Sequence, residues 1–321
     1  MKVQYFDFAG IGVVMLDLIS PYLVIFGKYA PGEVFPFFFT MKMFQRALMA
    51  SVIVTVVAGF LGSFLLIRNL SLIGDGLAHV SFGGIAVGIV LGATAPMYYA
   101  LFFSMIASIM IYELQSREIM TGDASIAIFL TGMLAFGLVL LRISGGGITT
   151  DIEGYLFGNL LLIDSSDLNF ITTVCIVSLF VLGVISQPLL AISVDPLAAL
   201  IQGIPVRAIG LLFSVITASV VVMMVQVVGT LLVTALLVTP AATAQLVGRS
   251  FRSCLLWTQF FGLTSVLIGL YLSAEMNTGS GSMIALVTAC VFAIVATSKS
   301  FLLRFFSEGT FFPRVLKLNQ S

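Results

Sequence analysis

Asp75 and His79 are the residues of this sequence best suited to chemistry. The histidine is the only one in the chain. The two stand four positions apart in RNLSLIGDGLAHVSFGGIAVGIVLG, residues 68–92. An α-helix turns once in about 3.6 residues, so both side chains project from one face. Their surroundings are apolar enough for a bilayer. An ionisable group there is costly and faces a bundle interior, a cavity or an ion path. A carboxylate oxygen beside an imidazole nitrogen suits a borderline divalent metal. The pair equally suits an Asp–His hydrogen bond that fixes helix packing. Either role needs a membrane helix to hold the two groups.

The composition supplies such helices. Of 321 residues, 60% are hydrophobic and only 9% charged, with a mean hydropathy of +1.18. Soluble domains carry about 25% charged residues. The sequence therefore predicts an all-α polytopic membrane protein. Spans are expected at 8–26, 44–67, 73–91, 96–113, 124–143, 169–187, 208–226, 229–247, 254–273 and 282–302. That is a bundle of about nine or ten transmembrane helices, because Asp17 and Pro21 interrupt the first. Residues 1–42 form an N-terminal extension with a candidate extra membrane helix, 43–302 the main domain, and 303–321 a basic, aromatic tail.

Several classes are excluded. The formal net charge is zero with no sizeable basic patch, which argues against nucleic-acid binding. Cys175, Cys254 and Cys290 lack the spacing of a disulfide framework or a zinc–thiolate site. No GxxxxGK[ST] phosphate loop occurs, so ATP binding through that motif is not expected. The start does not read as a cleavable signal, since Asp7 and Asp17 break the apolar run.

Lysine and arginine set the expected orientation. With alternating spans and a cytoplasmic C-terminus, the inner side holds Lys2, Arg68, Arg117, Arg207, Arg249, Arg252, Lys299, Arg304, Arg314 and Lys317. Lys28, Lys42, Arg46 and Arg142 fall outside. The tail also carries Phe301, Phe305, Phe306, Phe311 and Phe312, which suits the inner interface.

Three connecting stretches and one glycine pattern stand out. The outer loop 144–168 is acidic and glycine-rich, with an apolar centre too short to span. It reads as a re-entrant half-helix or as an interfacial helix. In the inner loop 188–207, Asp195 can cap a short helix that starts at Pro196 and ends at Gly203, with Pro205 beyond. That helix is a docking element for a soluble motor or a plain connector. In 227–248, Pro240 lies inside an apolar run and is expected to kink it. Broken helices of this kind often flank transport sites. Gly84, Gly88 and Gly92 repeat at every fourth position and offer a flat packing face.

Three stretches together resemble the permease subunits of ABC-type manganese/zinc/iron importers. They are SLIGDGLAHVSFGGIAVG (71–88), YLFGNLLLIDSSDL (155–168) and the run from DPLAALIQGIPVR to QVVGTLLVTALLVTPAATA (195–244). The resemblance covers roughly 44–300 and implies that Asp75 and His79 belong to the metal path. It implies that Asp195 to Arg207 dock on the ATPase, and Ala198, Ala199 and Gly203 fit the AAxxxG spacing of coupling loops. The chain departs from the family at Asn159, at Gly83-Gly84 after the histidine, and in having no further histidine.

The resemblance implies a multi-pass protein of the plasma or inner membrane. Its partners would be cytoplasmic ABC ATPase subunits, an extracytoplasmic metal-binding protein and a second permease copy, identical or related. The cargo would be Mn, Zn or Fe as a divalent ion, with no permanently bound cofactor and no enzymatic activity of the chain itself. A metal-bound histidine must be neutral, so acid should weaken transport. Competing readings are an importer for an iron chelate or cobalamin-like cargo, and a secondary metal transporter without an ATPase. An intramembrane hydrolase fits poorly. Leu72 stands where GxGD needs its first glycine, and no serine sits in a nucleophile motif.

Overall fold

The structure is a computed structural model that describes residues 10–93, 95–145, 150–158, 160–230 and 232–309, with backbone alone at 150–153 and 302–309. Its helices are α1 (Ile11–Gly27), α2 (Phe37–Thr40), α3 (Lys42–Ile67), α4 (Ile73–Val90), α5 (Met97–Ser116), α6 (Gly122–Ile143) and α7 (Thr150–Phe157). They continue as α8 (Ser165–Val194), α9 (Pro196–Ile201), α10 (Val206–Val228), α11 (Val233–Leu237), α12 (Thr239–Val247), α13 (Phe251–Met276) and α14 (Ser280–Gly309). Among the described residues there is no strand.

Eight helices are long and apolar enough to cross a membrane: α3, α4, α5, α6, α8, α10, α13 and α14. The shortest, α4, has 18 residues. At 1.5 Å per residue it reaches about 27 Å, near the ~30 Å of a hydrocarbon core. The α4 and α10 helices are the most buried, and α6 and α14 the most exposed. Alternation of these eight helices, with α11 and α12 together returning the chain once more, groups the connections into two ends. One, here the α9 end, carries 68–72, 117–121, 195–205 and 248–250; the far end carries 91–96, 144–164, 229–232 and 277–279.

Small residues let α4 sit at the centre. Gly76 and Gly83 lie against Ile126 and Met133 of α6, and Gly74 against Leu237 of α11. A β-carbon on Gly84 would come 2.7 Å from the Tyr99 carbonyl oxygen, and one on Gly88 would come 2.9 Å from the Pro96 α-carbon. Gly92 does not extend that face. It ends α4 at φ +67° with nothing nearby to pack on.

Three expectations change. The loop expected at 188–207 is shorter, because α8 runs through Pro188 to Val194. Proline removes one backbone bond, but Leu189 and Ile192 are buried below it and hold the helix on course. The span expected at 229–247 is two short helices, parted at Val238. Pro240 lies in the first turn of α12, where its missing N–H costs no helical bond, so it opens a helix instead of kinking one. The last span continues to Gly309, while 310–321 and 1–9 lie outside the described residues. The helix α1 meets the far-end starts of α8 and α3. Its Val13 N–H donates to Asn169 near the start of α8, and Gly27 backs onto Phe39 and Thr40 just before α3.

Candidate functional site

Asp75 lies in the first turn of α4, where a carboxylate is favoured by the helix dipole. His79 follows one turn later. Its Nε2 stands 3.8 Å from Asp75 Oδ1, with side-chain exposures of 8% for the histidine and 31% for the aspartate. That separation exceeds hydrogen-bond range, so the pair is not closed on itself. The Nδ1 atom of His79 is buried without a hydrogen-bond partner. Two ligand atoms each about 2.1 Å from one ion stand roughly 3 to 4.2 Å apart. The 3.8 Å spacing fits that range without rearrangement. Among the described residues, no group of three or more His, Cys, Asp or Glu could hold a metal ion. The described residues thus set one carboxylate oxygen and one imidazole nitrogen at a spacing that a single ion could bridge.

The pair is deep because the turn before it is recessed. The Arg68 guanidinium lies 5.1 Å from the centre of the Phe213 ring. Phe213 is seven residues into α10, roughly 10 Å from the α9 end. A cavity of about 550 Å³ opens below this turn, lined by Arg68, Asn69, Glu118, Thr121 and Asp123 among others. A second cavity, about 470 Å³, lies at the far end between Ile89, Pro96, Tyr155, Asp167 and Gln226. Ile89 is ten residues beyond His79 on α4, roughly 15 Å along the axis. The two cavities thus stand on either side of the Asp75–His79 level.

The far-end cavity rests on an irregular backbone crossing. Gly158 and Gly229 both have positive φ, and each passes too close to the other's backbone for any side chain. Thr230 N–H donates to the Tyr155 carbonyl at 3.0 Å. The α7 segment therefore packs on the unwound stretch between α10 and α11. Protein groups satisfy that backbone, as membrane depth requires. The side chains of Asp151 and Glu153, and all of Asn159, lie outside what is described.

At the α9 end, Asp195 Oδ1 accepts from the Leu197 and Ala198 N–H groups at 3.0 Å each. Pro196 occupies the first helical position, Gly203 turns the chain at φ +79°, and Pro205 precedes α10. Ala199 is buried against the bundle, whereas Leu197, Leu200 and Ile201 are exposed. This short helix thus presents an apolar face outward.

Sequence reasoning passed over two polar groupings. Glu113 on α5 accepts from Arg117 Nε at 2.9 Å and from Arg207 Nη2 at 2.7 Å. The Glu113–Arg117 spacing was a readable signal, one helical turn; Arg207 is 94 residues away. Gln226 Nε2 donates to Asp167 Oδ1 at 3.3 Å in the far-end cavity. Its Oε1 is buried and unpartnered.

Comparison with known proteins adds four findings. The ABC 3 transport family matches residues 40–299. The manganese import system permease protein ScaB of Streptococcus gordonii is 33% identical over 250 residues, covering 78% of this chain and 89% of that protein. The high-affinity zinc uptake system membrane protein ZnuB of Haemophilus influenzae is 30% identical over 251 residues, covering 77% and 94%. Among solved structures, PsaBC from Streptococcus pneumoniae in complex with Fab is similar with a TM-score of 0.70 at 33% identity, over 79% of this chain and 91% of that one.

Proposed function

Because the chain belongs to the ABC 3 transport family, we propose that it is the membrane permease of an ATP-driven importer that carries a divalent metal ion as cargo. It is a multi-pass membrane protein and a transport subunit, not an enzyme. Manganese and zinc are the cargoes named for its relatives. ATP hydrolysis belongs to cytoplasmic partner subunits, and an extracytoplasmic binding protein delivers the ion. A second permease chain, identical or related, completes the path. The permease domain is 43–302, with 1–42 as an extension to it.

One observation carries this reading. The only histidine of the chain stands 3.8 Å from an aspartate on one of the two most enclosed helices, with neither group consumed by the other. Asp75 offsets part of the ion's charge and His79 contributes nitrogen. Two ligands per chain form an incomplete shell, which suits a site that must release as well as bind. The ion is admitted through the far-end cavity beside Asp167 and leaves by the cavity below Arg68.

The α9 end is assigned to the cytoplasm, because Arg68, Arg117, Arg207, Arg249 and Arg252 gather there. The exposed face of α9 docks on the ATPase. ATP-driven closure displaces α9 and, through Pro205, the start of α10. The Arg207–Glu113 pair links that start to α5, which packs on Gly84 and Gly88 of α4. Access switches between the two cavities as a rigid-body change.

The test is uptake of radioactive manganese and zinc by cells carrying Asp75→Asn or His79→Ala. Loss of uptake at normal expression is expected. Normal uptake would remove both residues from the path.

A further inference from the structure

The N-terminal helix α1 has an apolar face that no element among the described residues covers. We propose that α1 does not cross the membrane but lies along the interface of the far-end leaflet, with lipid as the partner of that face. Its start and its end are then on the same side.

Its contacts carry the first half of the argument. Val13 N–H donates to Asn169 Oδ1 at 2.9 Å, and Asn169 is only four residues past the start of α8. Further along, Lys42 Nζ meets Asp17 Oδ1 at 3.1 Å, and Ser20 Oγ donates to Gln45 Oε1 at 2.9 Å. Gly27 then abuts Phe39 and Thr40. Every one of these partners lies at the far-end starts of α8 and α3, or just before them. A crossing helix would leave that level within two turns.

The exposed row identifies the occupant. Ile11, Val14, Leu18, Tyr22 and Ile25 recur every three or four positions and face outward, Leu18 at 68% and Tyr22 at 67% exposure. The one charged group of the helix, Asp17, is taken by Lys42. Such an apolar stripe suits contact with lipid, and Tyr22 within it is a residue favoured at headgroup depth. Neighbouring α8 exposes Ile176, Val177 and Phe180 a few turns below Asn169. The stripe therefore adjoins a surface that already meets lipid.

The experiment uses the full-length chain with Cys254→Ala and Cys290→Ala, keeping the fully buried Cys175. Single cysteines are placed as Ile11→Cys, Lys28→Cys, Thr278→Cys or Gln202→Cys, in variants that retain metal uptake. A membrane-impermeant maleimide is added to intact cells and to inverted vesicles. Ile11→Cys and Lys28→Cys are both expected to label with Thr278→Cys at the far end, opposite to Gln202→Cys near α9. Labelling of Ile11→Cys with Gln202→Cys would make α1 a span and overturn the proposal. Spin labels at Leu18→Cys and Tyr22→Cys in phosphatidylcholine vesicles then test the occupant. Greater collision with oxygen than with a water-soluble nickel chelate is expected, as at Val177→Cys. Preference for the nickel chelate, or shielding from both, would overturn lipid in favour of water or a protein partner. The labelling compares positions within one chain, so its failure leaves the metal path of Asp75 and His79 standing.

Discussion

Helices α1 and α4 are nearly equal in length, 17 and 18 residues, and both are rich in apolar side chains. They meet opposite fates. Fourteen residues of α4 are buried, against three of α1. The difference lies in the small residues. Five glycines along α4 let α5, α6 and α11 approach almost to backbone contact. On α1, Gly10, Gly12 and Gly27 permit close approach only near the two ends of the helix. Within lipid, apolar surface alone does not drive helices together; packing does. Hydropathy therefore puts a helix at the membrane, and glycine spacing decides whether it becomes part of the bundle. The central position is also the one that can shelter an ionisable pair from lipid.

The largest expected effect follows from that shelter. Asp75→Asn and His79→Ala should each lower metal uptake by at least about tenfold while leaving expression unchanged. Leu18→Ser on α1 should leave uptake near the parent level, and equal losses at both places would break the contrast. Next comes packing. Gly84→Leu pushes a side chain into the Tyr99 and Ala100 backbone and should cost about 1–3 kcal/mol. Leu18→Ser should stay within about 0.5 kcal/mol, both read from thermal denaturation in detergent.

The short helix α9 sharpens the comparison, being apolar and exposed like α1 but at the opposite end. Asp195→Ala removes its cap, about 1 kcal/mol of helix stability. ATP-dependent uptake should fall while the denaturation temperature of the bundle barely moves. The smallest effect is expected at Glu275, whose carboxylate accepts three backbone N–H groups, from Glu33, Val34 and Phe35. Glu275→Gln should speed amide exchange at those three positions without changing uptake. Unchanged exchange would mean that the strap from α1 to α3 is held instead by the edge-on contact of the Phe35 ring with Tyr271 of α13, 5.3 Å between centroids.

Much of the molecule was legible in the linear chain where the controlling interaction is local. The bounds of α9 follow from Asp195, Pro196 and Gly203, because capping and the left-handed turn act within a few residues. The shared face of Asp75 and His79 follows from helical spacing alone. The outcome at Pro188 was not legible, since the burial of Leu189 and Ile192 below it outweighs one lost backbone bond. Nor was the partnership of Glu113 with Arg207, or of Asp167 with Gln226, which join residues 94 and 59 positions apart.

What the sequence by itself determined is a helical membrane protein with one acid and one imidazole on a common face and a short capped helix between two spans. Tertiary structure alone decided that this pair stays 3.8 Å apart at depth and that α1 is tied to the starts of α8 and α3. The reason is physical. Helix formation and capping depend on neighbours in the chain, whereas depth, separation and orientation depend on which surfaces can approach closely enough to exclude lipid.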